Sequence, residues 1–342
     1  MARFGRISGW TGPEMRNLDG SILRSFLDAD GAAVSGDYLA GELGVSRVAI
    51  WSRLGRLRSE GFTFEAAPRK GYRLVGMPAG AHPALVEAHL RRLGCEVPCI
   101  VLESVDSTNS EAERRLAAGD DAPFAILARR QTAGRGRLGR KWQSDREDNL
   151  YLSLAFRPFL PVSRLGPFTV WMGLALCQHL ESTHGIRLGL KWPNDLLDDN
   201  GRKVAGMLTE ARVDSDSVRD LVFGLGLNLA GPGKDWSPDL ARRAAGLRRT
   251  AQPIPDVSAV AANVIAALTA AWERFESGRF SAEFRRLAER HDCIRGQAVT
   301  VTLRDQPLSG TADGIGDDGA LRLRTKGGKL VTVASGEVTL RT

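Results

Sequence analysis

The period of the hydrophobic pattern changes along this chain, so no single regular architecture can satisfy all of it. Near the N-terminus Ile22, Leu23, Phe26 and Leu27 recur in the i, i+3, i+4 rhythm of an amphipathic helix. From Gln297 to Thr342 the rhythm is two: Val299-Thr300-Val301-Thr302-Leu303, Leu321-Arg322-Leu323-Arg324 and Leu330-Val331-Thr332-Val333 alternate around Asp318-Gly319 and Gly327-Gly328 turns. Between these regions strands and helices mix. A chain of 342 residues suits two or three units, and the pattern predicts three, in an α+β fold. Residues 1–17 read as a flexible leader, 18–77 as a helical unit with a hairpin, 83–291 as a mixed sheet carrying helices, and 297–342 as a small β-barrel.

Within 18–77 a helix over Leu18 to Ala29 is followed by a short one starting at Ser35. Gly44-Val45 breaks that helix, and Ser46 caps a third, whose buried side would be Ile50, Leu54 and Leu57. Two helices joined by a tight turn make a helix-turn-helix. Phe62 to Glu65 and Gly71 to Val75 then read as a two-stranded wing, and the Pro/Gly/Ala-rich stretch from Met77 to Pro83 as a linker. In the middle of the chain, strands are expected at Cys99–Glu103, Phe124–Ala128, Leu150–Phe156, Leu188–Trp192, Val204–Arg212 and Leu221–Leu229. Helices are expected at Ser107–Ala118, Leu165–Glu181 and Asp256–Phe275.

Composition enters through what it excludes. With 43% hydrophobic and 25% charged residues the chain can bury real cores. The longest apolar stretch, Val170 to Cys177, falls short of the roughly 18–20 residues of a membrane span. Met1 to Trp10 lacks the apolar segment of a secretory signal, so a cytosolic protein that binds no membrane is expected. Cys95, Cys99, Cys177 and Cys293 form no CxxC pair and no zinc-like spacing, so free thiols and no protein-held metal are expected. The net charge of +7 is unevenly spread. Leu18 to Val45 has one basic residue against five acids, whereas Ser46 to Arg73 has seven against two. A second basic run, Ala128 to Arg146, opposes seven basic residues to Asp145 alone. Two separate anion-facing regions follow.

The second run contains Gly134-Arg135-Gly136-Arg137-Leu138-Gly139-Arg140. Its G-x-G-x-x-G spacing imitates a dinucleotide fingerprint, but no helix pattern follows, and Asp145, Glu147 and Asp148 come too early for the ribose acid. As a P-loop it lacks the Lys and the metal-binding hydroxyl, since Arg140 and Lys141 stand in their places. What remains is a flexible loop offering backbone N–H groups and guanidinium forks, which suits a phosphate chain. A basic surface loop is the plain alternative, and the interleaved glycines with Gln131 and Trp142 beside them count against it. Three weaker strings accompany it. Lys191-Trp192-Pro193-Asn194-Asp195 puts a lysine at a strand end, where it either meets an anion or snorkels. Ser107-Thr108-Asn109 follows a strand, where a helix N-cap is the default. Gly224-Leu225-Gly226-Leu227-Asn228 places glycines in an apolar strand, a sign of close approach by a ligand or backbone.

In this order and combination the strings resemble the biotin protein ligases, specifically the type that doubles as a biotin operon repressor, over the chain from about Leu18 to its end. The resemblance implies a winged helix-turn-helix, a central domain related to class II aminoacyl-tRNA synthetases, and an SH3-like barrel. It also implies that biotin and Mg-ATP form biotinyl-5′-AMP, whose biotinyl group passes to a lysine of the biotin carboxyl carrier protein of acetyl-CoA carboxylase. On that basis Ser107, Thr108, Asn109, Gln131, Gly134, Gly224 and Gly226 line the biotin pocket. Arg135, Gly136 and Arg137 close over biotin and adenylate. Arg140, Trp142, Asn194 and Asn228 serve the nucleotide, and Lys191 holds the carboxylate that reacts. Gln143 replaces a frequent aromatic, which weakens the adenine platform. Operator DNA would meet Arg47, Val48, Trp51, Ser52 and Gly55 in the groove, with Arg69 and Lys70 on the backbone, in a dimer promoted by the adenylate. A ligand-sensing repressor without catalysis and a lipoate ligase are the rival readings. The phosphate-clamping loop argues against the first, and the polar Ser107, Thr108, Asn109 and Gln131 against the second.

Overall fold

The protein is described by a computed structural model covering residues 13–233, 236–247, 256–303 and 306–340. Helices α1 (Pro13–Asp28), α2 (Gly36–Leu43) and α3 (Arg47–Ser59) precede the hairpin of β1 (Thr63–Ala67) and β2 (Gly71–Gly76). Ser35 and Ser46 cap α2 and α3: their Oγ atoms accept from the N–H of Tyr38 at 3.0 Å and of Ala49 at 3.1 Å. Each satisfies an amide that the helix cannot. Ile50, Leu54 and Leu57 turn inward onto Ile22, Leu23, Phe26 and Leu39, as their spacing predicts. Two corrections concern the edges. The first helix begins at Pro13 instead of Leu18, because proline is pre-set for a first helical turn. The rest of the expected leader, residues 1–12, lies outside the described residues. The wing is also held from the side, since Val34 and Tyr72 exchange backbone hydrogen bonds of 2.8 and 2.9 Å. A β-carbon on Gly71, at φ 109°, would stand 2.1 Å from the Val34 carbonyl oxygen, so only glycine fits there.

Helix α4 (Pro83–Arg92), which is not among the helices expected from the sequence, joins the first unit to the second. Its Ala84, Leu85 and Ala88 belong to the N-terminal core, while Val86 and Leu90 belong to the central one. Beside it the buried His82 donates its backbone N–H to Ser258 Oγ at 3.0 Å, and its Nε2 lies 3.1 Å from Glu60 Oε2. The expected linker therefore ends in a shared helix.

The central unit runs β3 (Cys99–Val105), α5 (Thr108–Ala118), β4 (Phe124–Gln131), β5 (Leu150–Phe156), β6 (Leu160–Pro161), α6 (Phe168–His184), β7 (Gly189–Lys191), β8 (Asp195–Leu197), β9 (Lys203–Asp214), β10 (Ser217–Leu227), α7 (Pro238–Arg243), α8 (Val257–Glu276) and α9 (Ser281–His291). Its strands lie in the order β3-β4-β5-β10-β9-β8-β7, with β6 also on β10. β3 and β4 pair in parallel and the other pairs are antiparallel, which bears out a mixed sheet. Side chains alternate across it. Leu127, Leu154 and Phe223 face α6 and α8, while Ile126, Ala155 and Val222 face α5. The apolar helix starts at Phe168, three residues later than expected, because a residue before proline is disfavoured in a helix and Pro167 follows Gly166. The C-terminal unit, β11 (Ala298–Leu303), β12 (Gln306–Ile315), β13 (Leu321–Thr325), β14 (Leu330–Val333) and β15 (Glu337–Leu340), is a five-stranded antiparallel sheet in the order β14-β13-β12-β11-β15.

Candidate functional site

The N-terminus of α5 meets the open face of the sheet where β10 has no side chains. Ser107 occupies the N-cap position without making a capping hydrogen bond, so the default explanation for this string fails. Asp106 fixes the turn instead: its Oδ1 accepts the Ser107 N–H at 2.7 Å, and Arg114 hydrogen-bonds both its oxygens, holding that carboxyl down to a pKa of about 2. Thr108 and Asn109 are buried. Gln131 Oε1 accepts from Thr108 N at 2.8 Å and from Thr108 Oγ1 at 3.2 Å, while Gln131 Nε2 donates to Ser144 Oγ at 2.9 Å. Ser153 Oγ, fully buried, lies 2.8 Å from Thr108 Oγ1 and 2.6 Å from Asn109 Oδ1. Buried polar atoms linked in this way are fixed in position, since breaking one bond strands its partner.

The glycines make this network possible. On Gly224 a β-carbon would sit 2.2 Å from Asn109 Oδ1, on Gly226 2.3 Å from Trp142 Cε2, and on Gly134 2.3 Å from Ser144 Oγ. Gly206 pairs with Gly226 across β9 and β10, and a β-carbon there would stand 2.8 Å from the Trp142 ring. What approaches the glycine strand so closely is thus a pair of the chain's own side chains. The buried indole Nε1–H of Trp142 has no acceptor among the described residues.

Over this floor stands the glycine-arginine loop, as a narrow loop closed by a 3-10 turn at Arg137–Gly139, with Leu138 and Gly139 at positive φ. Gly136 N donates to Arg140 O and Trp142 N to Gly134 O. The absence of a helix after it agrees with rejecting a dinucleotide fold. An open cleft of about 540 Å³ lies along it, bounded opposite by Leu208 and Glu210. Glu210 ties loop to floor, with Oε2 accepting from Asn109 Nδ2 at 2.6 Å and from Arg135 Nη2 at 3.0 Å. Arg137, half-buried, donates to Asn194 Oδ1 at 3.3 Å and to Gly336 O at 3.4 Å. Burial lowers its pKa, against the pull of Asp195 and Glu337. Arg140 pairs with Glu337 of β15, which raises its pKa. Asn194 Nδ2 donates to Met207 O at 2.8 Å, and Asn228 is buried at the end of β10.

Lys191 is not brought into this group. Register places Lys191, Asp195, Gly206 and Gly226 in one line across β7, β8, β9 and β10, so at about 4.8 Å per strand Lys191 starts about 10 Å from Gly206 and about 14 Å from Gly226. The cation on the floor is Lys203. Its Nζ lies 5.2 Å from the Trp142 ring centroid and 2.6 Å from Asp195 Oδ1, and would be 3.1 Å from a β-carbon on Gly206. Lys203, Gly206, Glu210, Ser144 and Ser153 all escaped the sequence reading. One signal was available: a lysine and a glutamate at either end, and a glycine within, the largely apolar Lys203-to-Glu210 part of β9.

The other basic region, Ser46 to Arg73, stands apart, on α3 and the wing. Val48 and Trp51 are 74% and 66% exposed, Ser52 is exposed, and a β-carbon on Gly55 would meet nothing within 4 Å. The summed charge overstated this face. Arg53 and Arg56 pair with the buried Asp19, Arg73 with Glu65 at 2.7 Å and Arg47 with Asp37 at 3.0 Å, while Arg58 lies 5.7 Å from the rings of Phe64 and Tyr72. Arg69 and Lys70 are exposed at the wing tip, with no ion pair among the described residues.

Residues 101–228 match the biotin/lipoate A/B protein ligase family, 295–341 the biotin protein ligase C-terminal domain, and 21–73 an HTH domain. The chain is 30% identical over 309 residues to a bifunctional ligase/repressor BirA of Bacillus spizizenii, covering 90% of this chain and 94% of that one. It is 32% identical to the Escherichia coli protein of the same name, covering 92% and 94%. Among solved structures, a biotin protein ligase from Aquifex aeolicus in complex with biotin and ATP superposes with a TM-score of 0.59 at 28% identity, covering 71% of this chain and 98% of that one.

Proposed function

This chain belongs to the family of bifunctional biotin ligase/repressors, and on that premise we propose how its residues divide the work. It is an ATP-dependent biotin ligase and a biotin-responsive repressor. The observation that carries the ligase reading is the hydrogen-bonded set of Thr108, Asn109, Gln131 and Ser153 over a glycine floor, directly beneath the arginine loop. Such a set offers fixed donors and acceptors to a ureido ring, which a dithiolane ring would leave unused. The central domain reads as a relative of class II aminoacyl-tRNA synthetases and the C-terminal sheet as an SH3-like barrel.

In the first step a biotin carboxylate oxygen attacks the α-phosphorus of ATP, giving biotinyl-5′-AMP and releasing pyrophosphate. Mg2+ arrives as part of the substrate, on the ATP phosphates. Arg135 and Arg137 supply charge where it develops. Lys203 takes the role that the resemblance gives to Lys191, because it is the ammonium on the floor. Trp142, whose indole N–H has no acceptor among the described residues, serves the nucleotide side, joined by Arg140, Asn194 and Asn228. Glu210 accepts from Arg135, a contact for which a substrate anion competes. In the second step the amine of a carrier-protein lysine attacks the biotinyl carbonyl; AMP leaves, and the amine loses its proton as the amide forms. The expected acceptor is the biotin carboxyl carrier protein of acetyl-CoA carboxylase, in the cytosol. The adenylate-bound form dimerises on operator DNA.

The test is isotope exchange between pyrophosphate and ATP by the purified protein. Exchange that requires biotin supports the reading; exchange driven equally by lipoate, or by neither acid, overturns it.

A further inference from the structure

The exposed face of α3 has an unusual chemistry for a helix that enters the major groove. Val48, Trp51, Ser52 and Gly55 stand at i, i+3, i+4 and i+7 and so share one face. The two large side chains among them are apolar and the most exposed of the helix's hydrophobic residues. Bases are most often read by arginine, lysine, asparagine or glutamine. The face carries none of these. The arginines of α3 point elsewhere: Arg53 and Arg56 to Asp19, and Arg58 to the wing aromatics. Only Arg47 is near the tip of the face, and its partner Asp37 is as exposed as it is, so that pair can yield to a phosphate. Around the apolar face the charge is phosphate-seeking, with Arg69 and Lys70 at the wing tip. A helix with basic positions at its rim and an apolar centre fits duplex DNA, whose backbone carries charge and whose major groove displays one apolar group, the C5-methyl of thymine.

We propose that Val48 and Trp51 specify sequence by packing against thymine methyl groups, with Ser52 as the one side-chain hydrogen-bonding reader on that face. The proposal rests on the repressor reading and adds the chemistry that is read. Gly55 keeps the face shallow: its absent side chain would lean toward Trp51 and hold the helix off the groove. Arg69, Lys70 and Arg47 position the protein without discriminating between sequences.

The experiment uses the full-length protein with biotin and ATP. Duplexes are selected from a randomised pool, and the enriched sequence is remade with deoxyuridine in place of each thymine, which removes only the methyl. Binding should weaken about fourfold for each contacted methyl, from the usual value of about 0.8 kcal/mol per buried methylene-sized group. Val48→Ala and Trp51→Ala should bind the thymine duplex more weakly and respond less to deoxyuridine. Trp51→Phe, which keeps an apolar ring, should retain most of the discrimination. Deoxyuridine duplexes that bind as tightly as thymine duplexes overturn the proposal while leaving the repressor reading intact, as does full discrimination in the alanine variants. A change in self-association of Trp51→Ala without DNA also overturns it, because the face would then be a contact between copies. Failure to enrich any sequence removes the repressor reading and this proposal with it.

Discussion

Asn109 and Gly224 share one small volume: a β-carbon on Gly224 would lie 2.2 Å from Asn109 Oδ1, at a backbone conformation that any residue could otherwise adopt. Asn109 is itself held by Ser153 at 2.6 Å and by Glu210 at 2.6 Å, so it cannot retreat without breaking both bonds. Gly224→Ala should therefore destabilise the protein by about 1–3 kcal/mol, the usual cost of overpacking. It should also remove most biotin-dependent pyrophosphate exchange. Calorimetry and the exchange assay check the two halves, and a Gly224→Ala protein with parental exchange would show that Asn109 is not a pocket residue.

The two lysines make a sharper contrast. Lys203→Ala should lower pyrophosphate exchange by about 10²–10³-fold, the range seen when a charge-stabilising group is lost. Preformed biotinyl-AMP should still bind. Lys191→Ala should leave exchange within a few-fold of the parent. The reverse result, silence in Lys191→Ala and activity in Lys203→Ala, would return the role to Lys191. Lys203→Arg should rescue poorly, because a planar fork does not replace a compact ammonium resting against Trp142.

That contrast also marks how far the sequence could be read. Leu150–Phe156 was legible residue for residue, because a wholly buried strand leaves an apolar run, here interrupted only at Ser153. The cap at Ser46 was legible because a cap acts within three residues. Helix α9 was not, since only Phe284, Leu287 and Ala288 of its apolar residues are buried in a charged sequence. β8 was hidden by Pro193-Asn194, which signals a turn and does precede the strand. In the site, the contiguous Ser107 to Asn109 could be read, whereas Ser153 comes from β5 and Lys203 and Glu210 from opposite ends of one stretch of β9. Only the register of β5, β9 and β10 brings such residues together.

Arg137 acts at a distance from any core. Its contacts to Asn194 and Gly336 are long, at 3.3 and 3.4 Å. Arg137→Ala should therefore shift the melting temperature little while shortening the lifetime of bound biotinyl-AMP at least tenfold, since charge-assisted hydrogen bonds to an anion are among the stronger ones. Stopped-flow release of the adenylate and a thermal melt measure the two effects. Equal release from variant and parent would make the loop arginine a spectator.

Asp292, at the end of α9, should give stability a pH dependence. Burial pushes its carboxyl from the ordinary 3.8 up to about 6, although Ile294 N donates to Oδ1 at 3.1 Å. A folded pKa above the unfolded one means that the contribution is complete below about pH 4, where both states are protonated. It is lost as pH rises through about 6, where the folded state must ionise a buried group. At about 1.4 kcal/mol per pKa unit the loss is on the order of 3 kcal/mol at most. Asp292→Asn keeps the acceptor oxygen for Ile294 and removes the charge. It should be more stable than the parent at pH 7 and nearly equal to it at pH 4, by denaturant unfolding at both values. A parallel pH dependence in variant and parent would clear Asp292 of any part.

Gly55 separates folding from function on the recognition helix. It lies inside α3, where glycine costs about 1 kcal/mol relative to alanine, and a β-carbon there would touch nothing within 4 Å. Nothing among the described residues accounts for that cost. Gly55→Ala should therefore stabilise the N-terminal unit by about 0.5–1 kcal/mol, read by thermal or denaturant unfolding. If the helix approaches DNA closely at this point, the same methyl should weaken operator binding several-fold in the presence of biotin and ATP. Gly55→Ser should weaken it further, since its side chain is larger and leans toward Trp51. Weak binding to unrelated DNA, governed by phosphate contacts and falling steeply with salt, should change less. The opposite signs in stability and affinity are the signature of a position kept for a partner. Gain in both, or loss in both, would mean that Gly55 has no role at the DNA surface.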